Sequence, residues 1–174
     1  STPSFGSKVE ELDLDETLIN SIEESGIENL YEFQENAVES ILEGKNVVIS
    51  APTATGKTEG FVIPVFQKII EEKKKVADSK LSVQLSDALS GVRALIIYPT
   101  TALSRDQLDK IQDIGQEAGI DVGVYDGDTD KSDRYEIQNN PPDVLITNFD
   151  MIHFHLSRNT RFANLIKTAK FVVV

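Results

Sequence analysis

The chain has 174 residues, 40% of them apolar, enough to bury the core of one ordinary domain or most of one. The absence of cysteine excludes a disulfide scaffold, a thiol nucleophile and a Cys-ligated zinc, and the longest apolar runs fall far short of the ~20 residues of a membrane-spanning helix. The net charge of −12 argues against phosphate binding on average, yet residues 1–44 hold one cation, Lys8, and 12 acids, leaving 16 of the 17 cations and 17 of the 29 acids on a near-neutral body.

With no initiator Met at Ser1-Thr2-Pro3-Ser4 and no basic-then-apolar leader, the expectation is a soluble, cytoplasmic protein without a membrane partner, cut from a longer chain. Residues 1–10, rich in Ser, Gly and Pro, predict an extended or disordered lead. Asp15 to Glu24 sets Leu18, Ile19 and Ile22 at helical spacing and stops at Gly26. Residues 1–29 thus form an acidic N-terminal segment with one helix, whose carboxylates suit a solvated shoulder better than a nucleic-acid surface. A second helix, Tyr31 to Leu42, repeats Phe33, Ala37, Val38, Ile41 and Leu42 on one face and closes at Gly44.

From there the pattern changes. Five short β-branched runs, 46–50, 93–98, 121–125, 143–147 and 170–174, alternate with helical stretches at 57–75, 103–118, 130–138 and 149–168. That alternation predicts an α/β fold, a mainly parallel sheet flanked by helices on both faces. Pro64 should kink or restart its helix. Lys73 to Gly91 is long for a connection and reads as a flexible insertion or as a short helix near 81–89, with Lys73-Lys74-Lys75 as a helix end favoured by the dipole.

The chemistry begins at Ala51-Pro52-Thr53-Ala54-Thr55-Gly56-Lys57-Thr58, which follows the first β run and opens a helix. Strand, loop and helix are the context of a phosphate-binding loop. In such a loop, Pro52 to Thr58 here, the main-chain N–H groups (all but that of Pro52, which has none) and the helix N-terminus would point at the anion, Lys57 would neutralise the β/γ phosphates, and the Thr58 hydroxyl can ligate Mg2+. The first position is Ala51 where the general pattern has Gly. Pro99-Thr100, Gly127-Asp128 and Thr147-Asn148 also lie just past the ends of β runs, and in an open parallel sheet ligands bind at those carboxyl ends.

These strings together resemble the superfamily 2 DExH/DEAD-box helicases. Ala51-Pro52-Thr53 with Gly56-Lys57-Thr58 and Phe61-x-x-Pro64 looks like their motif I, Tyr98 to Gln107 like motif Ia, Asp126-Gly127-Asp128-Thr129 like the G-D segment, Thr147 to His153 like motif Ib, and Phe33-Gln34 like the Q motif that reads adenine. The match runs in order over residues 30–174, and the wording around Thr101-Ala102-Leu103 and Thr147-Asn148 is most similar to Lhr-like large helicases. The resemblance implies a three-layer RecA-like ATP-binding domain over 30–174, with ATP and Mg2+ as cofactors and Lys57 and Thr58 as the catalytic pair. It implies a sequence-independent backbone track for DNA or RNA at Pro99, Thr100, Arg105, Gln107, Gly127, Asp128, Thr147 and Asn148, and a second RecA-like domain as partner in the same parent chain. In the family the terminal strand 171–174 runs into an acidic motif that holds Mg2+ and activates water; without it this segment is expected to show negligible ATP turnover.

Other readings stay open on the residues themselves. Thr100, Thr147 and Asn148 serve equally as helix caps, Gly127 as a turn glycine, Gln34 as an ordinary helix residue and Arg105 as a surface contact. His153 and His155, with no metal-ligating neighbours at the right spacing, suit packing. The alternative functions are a P-loop kinase or small-molecule ATPase, and a non-catalytic nucleotide-gated module docking through its acidic N-terminus.

Overall fold

In the computed structural model, which describes residues 3–50, 56–78, 91–99 and 103–174, the lead from Pro3 onward is ordered. Phe5–Lys8 (β1) pairs antiparallel with Asn29–Tyr31 (β2), and a single 3-10 turn at Val9–Glu11 connects β1 towards Glu16–Glu24 (α1). The extended alternative holds because Glu35, on the helix Glu32–Leu42 (α2), receives hydrogen bonds from both Ser7 N (2.8 Å) and Ser7 Oγ (2.7 Å), while Val9 is wholly buried. α1 starts where the Asp15 carboxylate accepts from Thr17 N and the Asp15 N–H donates to Gln67 Oε1 (2.8 Å). Its Leu18 and Ile22 enter the main core, and Ser21 Oγ donates to the Ile114 carbonyl (2.6 Å). The acidic segment is solvated on its charged side only.

Lys57–Asp78 (α3) runs through Pro64 without a break. The proline leaves one helical acceptor unused, the carbonyl of Gly60, and packs its ring in the core. Lys73 and Lys74, near the end of α3, are tied to protein acids: Lys73 Nζ lies 2.7 Å from Asp143 Oδ2, and Lys74 pairs with Asp15. The expectation for a short helix near 81–89 lies outside the described residues.

The remaining elements alternate: Ala94–Tyr98 (β3), Arg105–Glu117 (α4), Val122–Tyr125 (β4), Lys131–Asn139 (α5), Val144–Asn148 (β5), Phe149–Arg158 (α6), Arg161–Ile166 (α7) and Phe171–Val173 (β6). The four strands β3 to β6 are all parallel, in the order β4–β5–β3–β6. Side chains alternate across the sheet as the pleat requires. Ala94, Ile96, Val144 and Ile146 meet α1, α3 and α4 on one face, while Leu95, Ile97 and Leu145 meet Phe162, Ile166 and Tyr125 on the other. The result is three layers, helix, sheet, helix. Among the described residues no helix is long and apolar enough to cross a membrane.

Two expectations need correction. Residues 46–50 are not a strand; Val48 is 94% exposed. A β-branched run becomes a strand only with a ladder partner and a surface to cover, and no described strand lies beside it. The edge of β6 that faces away from β3 is unpaired among the described residues, with Val172 and Val174 exposed. The stretch 149–168 is two helices, because Asn159 takes a left-handed conformation (φ 47°) and Thr160 Oγ1 then caps the second helix through Ala163 N.

Candidate nucleotide and nucleic-acid site

Of the residues expected to cradle phosphate, Gly56, Lys57 and Thr58 are described; Pro52, Thr53, Ala54 and Thr55 lie outside the described residues, as does Thr100 on the nucleic-acid side. The three described ones open α3, whose first N–H groups have no partner within the helix and whose dipole is positive there. Gly56 has φ +85°, and a Cβ added to it would stand 2.8 Å from Gln34 Nε2 and 3.4 Å from the Tyr31 ring. The chain must therefore be glycine where it bends against α2. Gln34 is 4% exposed; its Nε2 donates to the Gly56 carbonyl (2.7 Å) and its Oε1 accepts from Tyr31 N (2.7 Å). One N–H and one lone pair of the amide thus fasten the loop to α2, and the amide retains one of each.

Beside Gln34 stands an aromatic ladder that the sequence reading missed. Phe5 stacks on Tyr31 at 5.1 Å and Tyr31 on Phe33 at 5.9 Å, with interplanar angles of 24° and 10°. Phe5 is 69% exposed. The pair Tyr31-x-Phe33 ahead of Gln34 was the available signal; Phe5 joins it only through the β1–β2 pairing.

The donor types fit a polyphosphate with its divalent cation: Lys57, Thr58 and the first N–H groups of α3 share the first turn of that helix. Among the described residues no cluster of three metal-ligating side chains exists; Thr58 is the residue here that would hold a divalent ion, which would supply charge neutralisation. Behind this end, Glu59 Oε1 pairs with Lys110 Nζ of α4 at 2.8 Å, and Glu59 Oε2 is buried without a hydrogen-bond partner among the described residues. Burial pushes the nearby Tyr98 phenol up to about 12; the Thr58 hydroxyl opposes that shift and the Glu59 carboxylate adds to it. No hydrogen bond of ordinary geometry reaches the Tyr98 oxygen among the described residues. A cleft of about 280 Å3 between Gly56, Thr58, Glu59, Gln107 and Lys110 joins the N-terminal end of α3 to the first turns of α4.

The expected nucleic-acid track lies along the same strand ends. Pro99 and Arg105 are exposed. Gln107 closes a capping box with Ser104: Gln107 N donates to Ser104 Oγ (3.2 Å) and Ser104 N to Gln107 Oε1 (3.1 Å). Gly127 and Asp128 sit exposed on the turn after β4. Thr147 and Asn148, in contrast, are 3% and 8% exposed. Thr147 Oγ1 donates to the Tyr125 carbonyl (2.6 Å), and Asn148 Oδ1 caps α6 by accepting from Met151 N (2.9 Å). Both side chains are engaged internally, so β5 offers this edge the first-turn N–H groups of α6. His155 packs against Tyr125, Phe154 and Phe162, with Nδ1 2.8 Å from Thr160 Oγ1; His153 is exposed instead of packed. A cleft of about 670 Å3 beside the track, between α4 and α5, is lined by Asp109, Asp126, Asp128, Asp133 and Glu136 with Arg105 as its cation. Its charge disfavours a phosphate group inside the cleft.

Comparison with known proteins agrees with this architecture. Residues 31–174 match the DEAD/DEAH box helicase family. The chain is 31% identical over 164 residues to the uncharacterized ATP-dependent helicase YprA of Bacillus subtilis, covering 92% of this chain and 20% of that protein. The structure of the DUF1998 helicase MrfA bound to DNA and AMPPNP superposes with a TM-score of 0.71 at 29% identity, over 99% of this chain and 22% of that one. Mycobacterium smegmatis helicase Lhr bound to ssDNA and AMP-PNP shares the fold, with a TM-score of 0.64 at 23% identity over 95% of this chain and 20% of that one. The chain therefore spans about a fifth of the length of these relatives. By the match from Tyr31 to the last residue, this chain belongs to the DEAD/DEAH box helicase family.

Proposed function

We propose that this chain is the nucleotide-binding RecA-like domain of an ATP-driven helicase, holding Mg-ATP at the α3 N-terminus and one nucleic-acid strand across the carboxyl edge of the sheet. The observation that carries the reading is the shared edge: the capped start of α4, the Asp126–Thr129 turn and the start of α6 follow the strand ends, and the cleft of Gly56, Thr58, Gln107 and Lys110 joins the α3 N-terminus to them. Lys57 and Thr58 hold the phosphates and share the cation, which supplies charge neutralisation when bound. Gln34, beside the Phe5–Tyr31–Phe33 ladder, reads the adenine edge with the N–H and lone pair it has left, and the ladder offers a face on which a base stacks. The strand is held by main-chain N–H groups, helix starts and Arg105, so contacts go to sugar and phosphate and carry no sequence information. MrfA, the 29%-identical relative solved with DNA, makes DNA the strand to test first. In the parent protein a second RecA-like domain would close over the nucleotide and supply the charge that hydrolysis needs.

Titration of the chain with Mg-ATP and Mg-GTP tests this reading. ATP should bind tighter, Gln34→Ala should erase the preference, and Lys57→Ala should weaken both nucleotides at least tenfold, about 1.4 kcal/mol. Equal affinity for the two nucleotides in the wild type would remove Gln34 from base reading; no binding of either would remove the nucleotide site itself.

A further inference from the structure

Arg134 occupies the first turn of α5, where a cation works against the helix dipole, and Asp130 at the head of that helix makes no side-chain cap bond. The guanidinium reaches back to the preceding turn instead. Its Nε donates to the Thr129 carbonyl (2.8 Å), and its Nη2 donates to the carbonyls of Asp126 (2.8 Å) and Gly127 (3.4 Å). The group lies 5.2 Å over the ring of Tyr125, which is 2% exposed and packed against Phe162 and His155. The cation thus rests on a fixed platform and grips three acceptors that a lysine ammonium cannot match as a planar fork.

A trans peptide unit sets its N–H opposite its C=O. Holding the carbonyls of Asp126, Gly127 and Thr129 towards α5 therefore turns the N–H groups of the following residues the other way. Asp126 Oδ1 already takes the Asp128 N–H (2.9 Å). That leaves the Gly127 N–H as the exposed donor of the turn, and nothing lies within 4 Å of where a Cβ on Gly127 would stand. With the Asp126, Asp128 and Asp133 carboxylates around it, a phosphate is acceptable here only if that donor is aimed correctly.

We propose that Arg134 is a positioning residue for strand binding: it sets the Asp126–Thr129 turn so that the Gly127 N–H donates to a phosphate of the bound strand, without itself touching the strand. The proposal rests on the nucleic-acid reading above. A second link carries the same geometry to the neighbouring strand end, since the Thr147 hydroxyl holds the Tyr125 carbonyl.

The test compares the wild-type chain with Arg134→Lys and Arg134→Ala, using a fluorescent oligo-dT single strand over a series of salt concentrations, with hydrogen exchange at residues 126–130 measured in the absence of the strand. Both variants should lose about tenfold in affinity, leave the slope of log affinity against log salt unchanged, keep Mg-ATP binding, and exchange faster at the turn alone. Arg134→Lys retains the charge and the stem, so it remains informative if Arg134→Ala unfolds. A slope reduced by about 0.7 would make Arg134 a direct phosphate contact and overturn the positioning role. Wild-type affinity in Arg134→Lys, or unchanged exchange at the turn, would overturn it as well. If the wild-type chain binds no oligonucleotide, the nucleic-acid reading falls and this role with it; if only the variants behave as wild type, the reading stands and this role falls.

Discussion

Gly56 and Gln34 show how single residues govern the start of α3. Gly56→Ala forces a side chain into a left-handed position, costing about 1–2 kcal/mol, and drives its Cβ into Gln34 Nε2. The expected outcome is a lowered urea midpoint together with loss of Mg-ATP binding, read by denaturation and calorimetry on the same sample. His155 governs a different property. Burial, with the Arg134 and Arg158 charges adding, holds its pKa below the usual 6.5. The folded chain then binds that proton more weakly than the unfolded one, so the stability is complete above 6.5 and is lost as pH falls through the lower folded value. Urea midpoints should drop as the pH falls below 6.5, and His155→Phe should flatten that drop. The carboxyls of Asp15, held low by Lys74 and Thr17, and of Glu35, held low by Ser7, act in a separate window, below their ordinary 3.8 and 4.5. A pH dependence unchanged in His155→Phe would show that another group carries it.

Elements divide into those written in local pattern and those made by distant contacts. The helices of 16–24, 32–42, 57–78, 105–117 and 131–139 and the strands β3 to β6 were legible because apolar spacing, capping residues and β-branched runs are local signals. The strand expected at 46–50 had the same local signal and is not formed, because a ladder partner is not a property of the run itself. β1 had only the reading of an extended or disordered lead: Phe5-Gly6-Ser7-Lys8 is a strand because Glu35 and Tyr31, far along the chain, receive it. The same division runs through the site. Lys57, Thr58 and Gln34 stand in short motifs, whereas Phe5, Glu59, Lys110 and Arg134 acquire their places from tertiary contact, and Thr147 and Asn148 turn inward for reasons of packing. Glu35 tests the tertiary part. Glu35→Ala leaves the Ser7 N–H without its acceptor, an expected loss of ~1–3 kcal/mol, whereas Ser7→Ala keeps the main-chain bond and should cost only about 0.5–1.5 kcal/mol. Hydrogen exchange at Gly6 to Lys8 should accelerate more in Glu35→Ala, and Mg-ATP affinity should fall with it as Phe5 leaves the ladder; exchange equal in the two variants would deny Glu35 its anchoring role.

At the scale of the whole molecule, charge and edge decide how the chain behaves in solution. The net charge of −12 repels a phosphate backbone at long range, and the proposed track relies on neutral donors with Arg105. Binding through one or two charged contacts gives a log–log salt slope of about −0.7 to −1.4, and a much steeper slope would point to a basic surface elsewhere. The open edge of the sheet acts at shorter range. β6 pairs with β3 on one side only, and on its other side the main chain has no partner among the described residues while Val172 and Val174 are 58% and 80% exposed. Val48 adds another exposed β-branched side chain at 94%. An unpaired apolar edge recruits a further strand, and without a charged or proline residue on β6 nothing in it opposes that. The chain should therefore self-associate as its concentration rises, despite its charge, and more strongly in high salt as repulsion is screened. Val172→Lys places a cation on the edge and should restore a monomer in sedimentation velocity at every concentration, with the fold unchanged by circular dichroism. A wild-type chain that stays monomeric at high concentration and high salt would show that the edge is already blunted, and the exposure of Val172 and Val174 would then have no consequence for assembly.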